Sequence, residues 1–241
     1  MSKRSFIAAC LTLVLLLAAM PVTLLANNGT EIPTQGLSFT VNQLDHLEIR
    51  LSRGSINVET HSDNNIRVVF YSPESGRYER PVYEFDSGTR TLTITEQTRR
   101  SRSIRNIASG GVTVYVPLNA GVVFDTATLR TTNGGIDILG DNVNLANRLN
   151  LRVTNGRVTV EDFAAGRAEI STTNSSIDAR GLDINGSLTM RTTTGRIDLE
   201  ASRVGGFVTA RTVTGSITFR NVDADTDDAN ISSVTGRIRL D

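Results

Sequence analysis

Apolar and polar positions alternate with period two on either side of a small residue, repeatedly, through the second half of the chain. In MRTTTGRIDL (190–199), Met190, Thr192, Ile197 and Leu199 fall on one side, and Arg191 and Asp198 on the other. That period describes two half-buried strands meeting at a corner, not a helix. Gly195 marks the corner in this copy, and Asn133, Asn155 and Asn174, which precede it in others, tolerate turn conformations. Gly166, Gly186 and Gly206 mark a second corner, after which inward positions resume.

Six copies of this phrase follow residue 125: LRTTNGGIDI (129–138), LRVTNGRVTV (151–160), ISTTNSSIDA (170–179), MRTTTGRIDL, ARTVTGSITF (210–219) and ISSVTGRIRL (231–240). An earlier cousin, IRLSRGSINV, spans 49–58. The corner residues Gly134, Gly156, Ser175, Gly195, Gly215 and Gly236 are 22, 19, 20, 20 and 21 positions apart. A period near twenty predicts a solenoid, in which each coil buries its apolar side only against its neighbours. Ile136, Val158, Ile177, Ile197, Ile217 and Ile238 then form one inward file, with coils about 4.8 Å apart. The expected fold is all-β: a single-chain β-solenoid, right-handed by the general preference of parallel crossovers. Tryptophan is absent and aromatics make up 5% of the chain, which predicts a thin core without large rings.

Residues 37–128 are less regular, with strands expected at 44–51, 55–59, 66–71, 83–86, 91–96 and 111–116. Loops are expected at 72–80 and 98–110. This part is expected to hold a first solenoid turn and inserted antiparallel strands that cap one end, because an open end exposes unpaired backbone. The regular repeats occupy 129–241. At their far edge Arg237, Arg239 and Asp241 either protect the last strand by charge or mark a self-association surface.

The first 26 residues read as an export signal, with Lys3 and Arg4 ahead of an apolar run, and 27–36 as a linker. The run is also just long enough for a retained anchor; Pro21 and the polar residues after Ala26 favour cleavage, leaving no stable span. Cys10 is the only cysteine, so a cleaved chain has neither disulfides nor thiolate metal sites. Without Lys3 and Arg4 the chain carries 23 basic and 25 acidic residues, a net charge of −2, which argues against a nucleic-acid partner.

Candidate chemistry lies on the outward files. Asp137, Asp178 and Asp198 share one, and the last two fall on consecutive coils. Paired carboxylates serve acid–base chemistry on polysaccharides or hold calcium; alternatively they form a solvated face relieved by Arg157 and Arg196. Arg130, Arg152, Arg191 and Arg211 form a second file, interrupted by Ser171. This file either grips an anionic glycan or phosphate-bearing polymer, or pairs with the Asp file and with Glu161, Glu169 and Glu200 to hold register. The acidic stretch 223–228 lacks the glycine and glutamate of a calcium loop, and Arg99, Arg100, Arg102 and Arg105 concentrate positive charge in one loop. No catalytic residue, cofactor-binding residue or metal ligand is assigned, and no cofactor is expected.

Val114-Tyr115-Val116-Pro117 followed by ladders of Thr-x-x-Gly-x-Ile-x-Leu resembles the bacterial putative-adhesin family, envelope proteins with a repetitive β-solenoid domain of unknown function. Arg53-Gly54-Ser55-Ile56-Asn57-Val58 and Ile66-Arg67-Val68 resemble its opening turn and the strand after it. The family often has Asp or Glu after the corner glycine, where this chain has Gly135, Arg157, Arg196, Ser216 and Arg237. The resemblance implies an exported, non-enzymatic interaction module of the periplasm or cell surface, whose partner is an envelope glycan or another envelope protein. Two alternatives stand beside it: a carbohydrate-active β-helix enzyme using Asp178 and Asp198, and a sensory or regulatory partner in an envelope-stress system.

Overall fold

Hydrogen bonds between coils, rather than within them, define this architecture. The computed structural model describes residues 32–72, 81–96, 110–224 and 229–241. The export signal, the basic arginine cluster and most of both expected loops and of the acidic stretch lie outside the described residues. Among the described residues, eighteen strands join in one continuous hydrogen-bonded sheet that winds upon itself.

Each regular coil has three sides. The first stacks His46–Arg53, Phe124–Asn133, residues 148–153, residues 167–172, Leu188–Thr194, Val208–Thr214 and Ala229–Thr235, all parallel. The second stacks Ile56–His61, residues 136–139, residues 158–161, Ile177–Arg180, residues 197–200, residues 217–220 and Ile238–Leu240. The third, shorter side stacks residues 143–146, 163–165, Asp183–Ile184, 202–204 and 222–224. The inward file expected from the sequence is present: Ile136, Val158, Ile177, Ile197 and Ile217 are all fully buried. Removing one such side chain from water contributes about 2 kcal/mol, so stacked β-branched residues are the main source of cohesion.

At the first corner successive backbones approach too closely for a side chain. A Cβ built on Gly54, whose φ is +105°, would lie 1.7 Å from the Gly110 carbonyl oxygen; one on Gly215 would lie 1.8 Å from that of Gly195. Inward hydroxyls stitch the same corner. Thr131, Thr172, Thr192, Thr212 and Ser233 donate to the carbonyls of Gly54, Gly156, Ser175, Gly195 and Gly215 at 2.9–3.2 Å. Outside the corner, Asn155 donates its amide to Asn133 at 2.9 Å and Asn174 donates to Asn155 at 2.7 Å.

The glycine corner at Gly166, Gly186 and Gly206 separates the third side from the first, with Gly186 N–H donating to the Gly166 carbonyl at 2.7 Å. Another corner precedes it, which the repeat pattern did not mark. Asn142, Asp162, Gly181, Ala201 and Asn221, one per coil, adopt left-handed φ values between +48° and +63°. The expectation of a core without large rings is also corrected. Phe124 and Phe163 are fully buried, so the core takes a ring on the first side and another on the third.

Sequence order and spatial order differ at the capped end. Thr91–Glu96 and Gly111–Pro117 pair with His46–Arg53 and Ile56–His61 on the side away from the repeats, so a later segment builds the outermost coil. Asn65–Ser72 runs antiparallel to Gly111–Pro117 and to Ile32–Thr40, and Pro81–Asp86 runs antiparallel to Thr91–Glu96. Phe39 meets Phe85 at 5.1 Å and Phe70 stacks on Tyr83 at 6.2 Å, an aromatic lid over this end. At the other end, Ile238 and Leu240 hold inward positions yet are 41% and 58% exposed.

Candidate functional site

The strand register fixes which side chains share an outward file. On the second side Asn57, Asp137, Thr159, Asp178, Asp198, Thr218 and Arg239 stand in consecutive register. Asp178 therefore lies directly beside Asp198. Their negative charge is met at the corner: Arg157 Nε lies 3.2 Å from Asp178, and Arg196 reaches Asp178 at 3.2 Å and Asp198 at 2.5 Å. Ser176 also donates to Asp178, at 3.3 Å. The residues just after the corner small residue thus supply the compensating charge. Asp137 has no ion-pair partner among the described residues.

On the first side Arg50, Arg130, Arg152, Ser171, Arg191, Arg211 and Ser232 stand in register. The first and second sides diverge at the corner. The arginine file therefore does not pair with the Asp file, contrary to one expectation from the sequence. One link to the glutamates is present, Arg191 to Glu169 at 3.6 Å. Arg50, which sequence reasoning left out, is held by Glu48, whose carboxylate accepts from its Nε at 2.7 Å. Its membership was readable only by aligning the cousin copy at 49–58 beneath the regular repeats.

Beside the arginines run hydroxyl positions. Ser52, Thr132 and Thr154 line a shallow groove of about 300 Å³ together with Arg50, Arg130 and Arg152. The Nε of Arg130 is shielded from solvent and has no hydrogen-bond partner among the described residues.

The two histidines share no coil with Asp178 or Asp198. His61 contacts the Asn65 carbonyl at 2.6 Å and lies 3.5 Å from Asp63, while His46 lies 4.0 Å from Asp125. The Asn147 amide and the Arg148 guanidinium hold the Asp125 carboxyl below its ordinary range. Burial and the Tyr71 hydroxyl push the Tyr115 phenol upward, so it stays neutral at physiological pH. Among the described residues no cluster of His, Cys, Asp and Glu is arranged to hold a metal ion. No described helix is long and apolar enough to cross a membrane. What the geometry offers chemically is a ruled surface: rows of guanidinium, hydroxyl, amide and carboxylate groups repeated at coil spacing.

Several solved structures are similar to this chain. One, a putative adhesin from Bacteroides fragilis, aligns over 86% of this chain and 96% of its own, at 15% identity and a TM-score of 0.50. A putative cell adhesion protein from Clostridium sporogenes covers 86% and 98% at 10% identity and a TM-score of 0.41. A putative adhesin from Parabacteroides merdae covers 86% and 95% at 11% identity and a TM-score of 0.40. No curated protein matches the sequence. The model of one family matches residues 22–241, spanning the cap and every repeat, and the chain accordingly belongs to the Toastrack DUF4097 family.

Proposed function

We propose that this protein is an exported, non-enzymatic interaction module of the bacterial envelope, of the adhesin kind, working through the outward files of its solenoid. The observation that carries the reading is the arginine file on the first side. Parallel register repeats one cationic group on neighbouring coils, with hydroxyls alongside, on a sheet whose core is fully packed. Such a surface suits a partner that is itself repetitive, namely an envelope glycan or the surface of another envelope protein. The basic start and apolar run at the N-terminus support export, and the Bacteroides fragilis protein of this fold is itself a putative adhesin.

The rival reading, a carbohydrate-active enzyme using Asp178 and Asp198, is weakened by Arg196. This side chain bridges both carboxylates, which ties up the oxygens that would have to activate a water or protonate a leaving group. An array of envelope polysaccharides, probed with the full chain in non-ionic detergent, separates the two. Retention of a polymer at unchanged length is expected. Shortened polymer that no longer forms after Asp178→Asn and Asp198→Asn would replace the binding reading with the enzymatic one.

A further inference from the structure

Two outward files of this solenoid alternate in sign from coil to coil, and the like-charged neighbours Asp178 and Asp198 are bridged by Arg196. Glu161, Arg180, Glu200 and Arg220 stand in successive register on the second side, and Asp183, Arg203 and Asp223 on the third. Alternation is what neighbouring strands favour, because like charges directly opposite one another repel. Arg50, Arg130 and Arg152 break that rule on three consecutive coils. Only Arg50 has a carboxylate, from Glu48. Neither Arg130 nor Arg152 has one within ion-pair distance among the described residues, and the Arg130 Nε is dry and unpartnered.

We infer that the groove over Arg50, Arg130 and Arg152 is a binding site for a linear polyanion that runs along the solenoid axis and places an oxyanion against each guanidinium. This deepens the interaction-module reading and rests on it. The planar forks of Arg130 and Arg152 each offer paired N–H donors to a carboxylate or phosphate oxygen. Ser52, Thr132 and Thr154 line the same groove, where their hydroxyls face the neutral oxygens of such a chain. An extended polymer with one charge per repeat presents anions in a row, as the strands present cations in a row about 4.8 Å apart. Ser171 interrupts the row at the next coil, and Arg191 beyond it is already engaged by Glu169. The footprint is therefore three coils long. Uronate carboxylates and phosphodiesters share the required chemistry.

Titration of the full chain in non-ionic detergent with polygalacturonate, polyphosphate and uncharged dextran tests this directly. At low salt at least one polyanion binds and dextran does not, and binding weakens as salt is raised. The preferred polyanion identifies the oxyanion as carboxylate or phosphate. Arg130→Gln and Arg152→Gln each weaken binding about tenfold or more, while Arg220→Gln, on another side, leaves it within about twofold. Arg50 and Arg152 are exposed, so their variants carry the test even if Arg130→Gln impairs folding. Absence of polyanion binding at low salt, or equal loss in Arg220→Gln, overturns the inference. Should the polysaccharide array then yield a neutral ligand, the interaction-module reading survives without this site; should neither experiment yield a ligand, both fall.

Discussion

The hydroxyl of Thr131 donates to the carbonyl of Gly54 at 2.9 Å, although 77 positions separate the two residues in the chain. The same bond recurs at Thr172, Thr192, Thr212 and Ser233, each reaching the corner carbonyl of the adjacent coil. Val153 holds the equivalent inward position in its own coil and has no hydroxyl to offer Gly134. The threonine file is thus a polar seam beside the apolar core: it satisfies carbonyls that the corner turns away from the strand ladder.

Replacing Thr192 by Val keeps the shape and removes the donor, leaving the half-buried Ser175 carbonyl short of a partner. The expected loss of stability is about 1–2 kcal/mol by urea denaturation. The reverse change, Val153→Thr, supplies Gly134 with a donor and gives up a methyl group, so it is expected to stay within about 1 kcal/mol of the parent. Equal loss in both variants would show that side-chain packing, not the hydroxyl bond, governs this file.

Ala201 occupies the left-handed corner at φ +48°, where neighbouring coils have Asn142, Asp162, Gly181 and Asn221. A Cβ in this conformation crowds the following carbonyl, and alanine has no side-chain polar group to compensate. Ala201→Gly is expected to raise stability by about 0.5–1 kcal/mol, net of the added freedom of the unfolded chain. Gly181→Ala is expected to move the other way, since it puts a Cβ at φ +63° and forces the Asp162 carboxylate, 2.0 Å from that Cβ, to swing aside. Thermal unfolding of the two variants reads both signs.

These corners also show what the amino-acid sequence makes legible. The glycine corner and the isoleucine file are readable because close backbone approach and a fully buried inward position tolerate few residue types, so the same letters recur. The left-handed corner requires only an uncommon φ, which asparagine, aspartate, glycine and here alanine each satisfy; no common letter marks it. The asparagines at 133, 155 and 174 read as turn formers, yet their amides bond to one another across coils, a contact that exists only after stacking. At the capped end the strands and the cap are legible, but the spatial order of the coils is not. The coil built from residues 91–96 and 111–117 is laid down before the repeats in the chain but outside Ile49 in space. Arg50 stands beside Arg130 in the fold, a place legible in the sequence only where residues 49–58 are aligned beneath the regular repeats.

Ile197 and Ile238 hold the same inward position two coils apart, yet the first is fully buried and the second 41% exposed. If cohesion comes from stacked apolar files, truncation should cost far more at the first. Ile197→Ala is expected to lose about 3–4 kcal/mol, from lost burial and the cavity left behind, and Ile238→Ala about 1 kcal/mol or less. Chemical denaturation midpoints at constant slope provide the comparison. Comparable losses at the two sites would mean that the last coil is covered in solution.

Asp125 ties two coils together: Asn147 donates to its carboxylate at 3.2 Å and Arg148 at 3.4 Å, with His46 at 4.0 Å on its other side. These partners favour the ionised form and hold its pKa below the ordinary 3.8. A carboxyl depressed by folding stabilises the native state fully above its unfolded pKa, and that contribution disappears as pH falls through the lower folded value. The parent protein should therefore lose part of its stability below about pH 4. Asp125→Asn should be less stable than the parent at neutral pH, and the gap should narrow in acid. Thermal unfolding of both proteins between about pH 7 and pH 2.5 makes the comparison. A gap that stays constant across that range would show that the carboxylate contributes through packing or neutral hydrogen bonds, not through its charge.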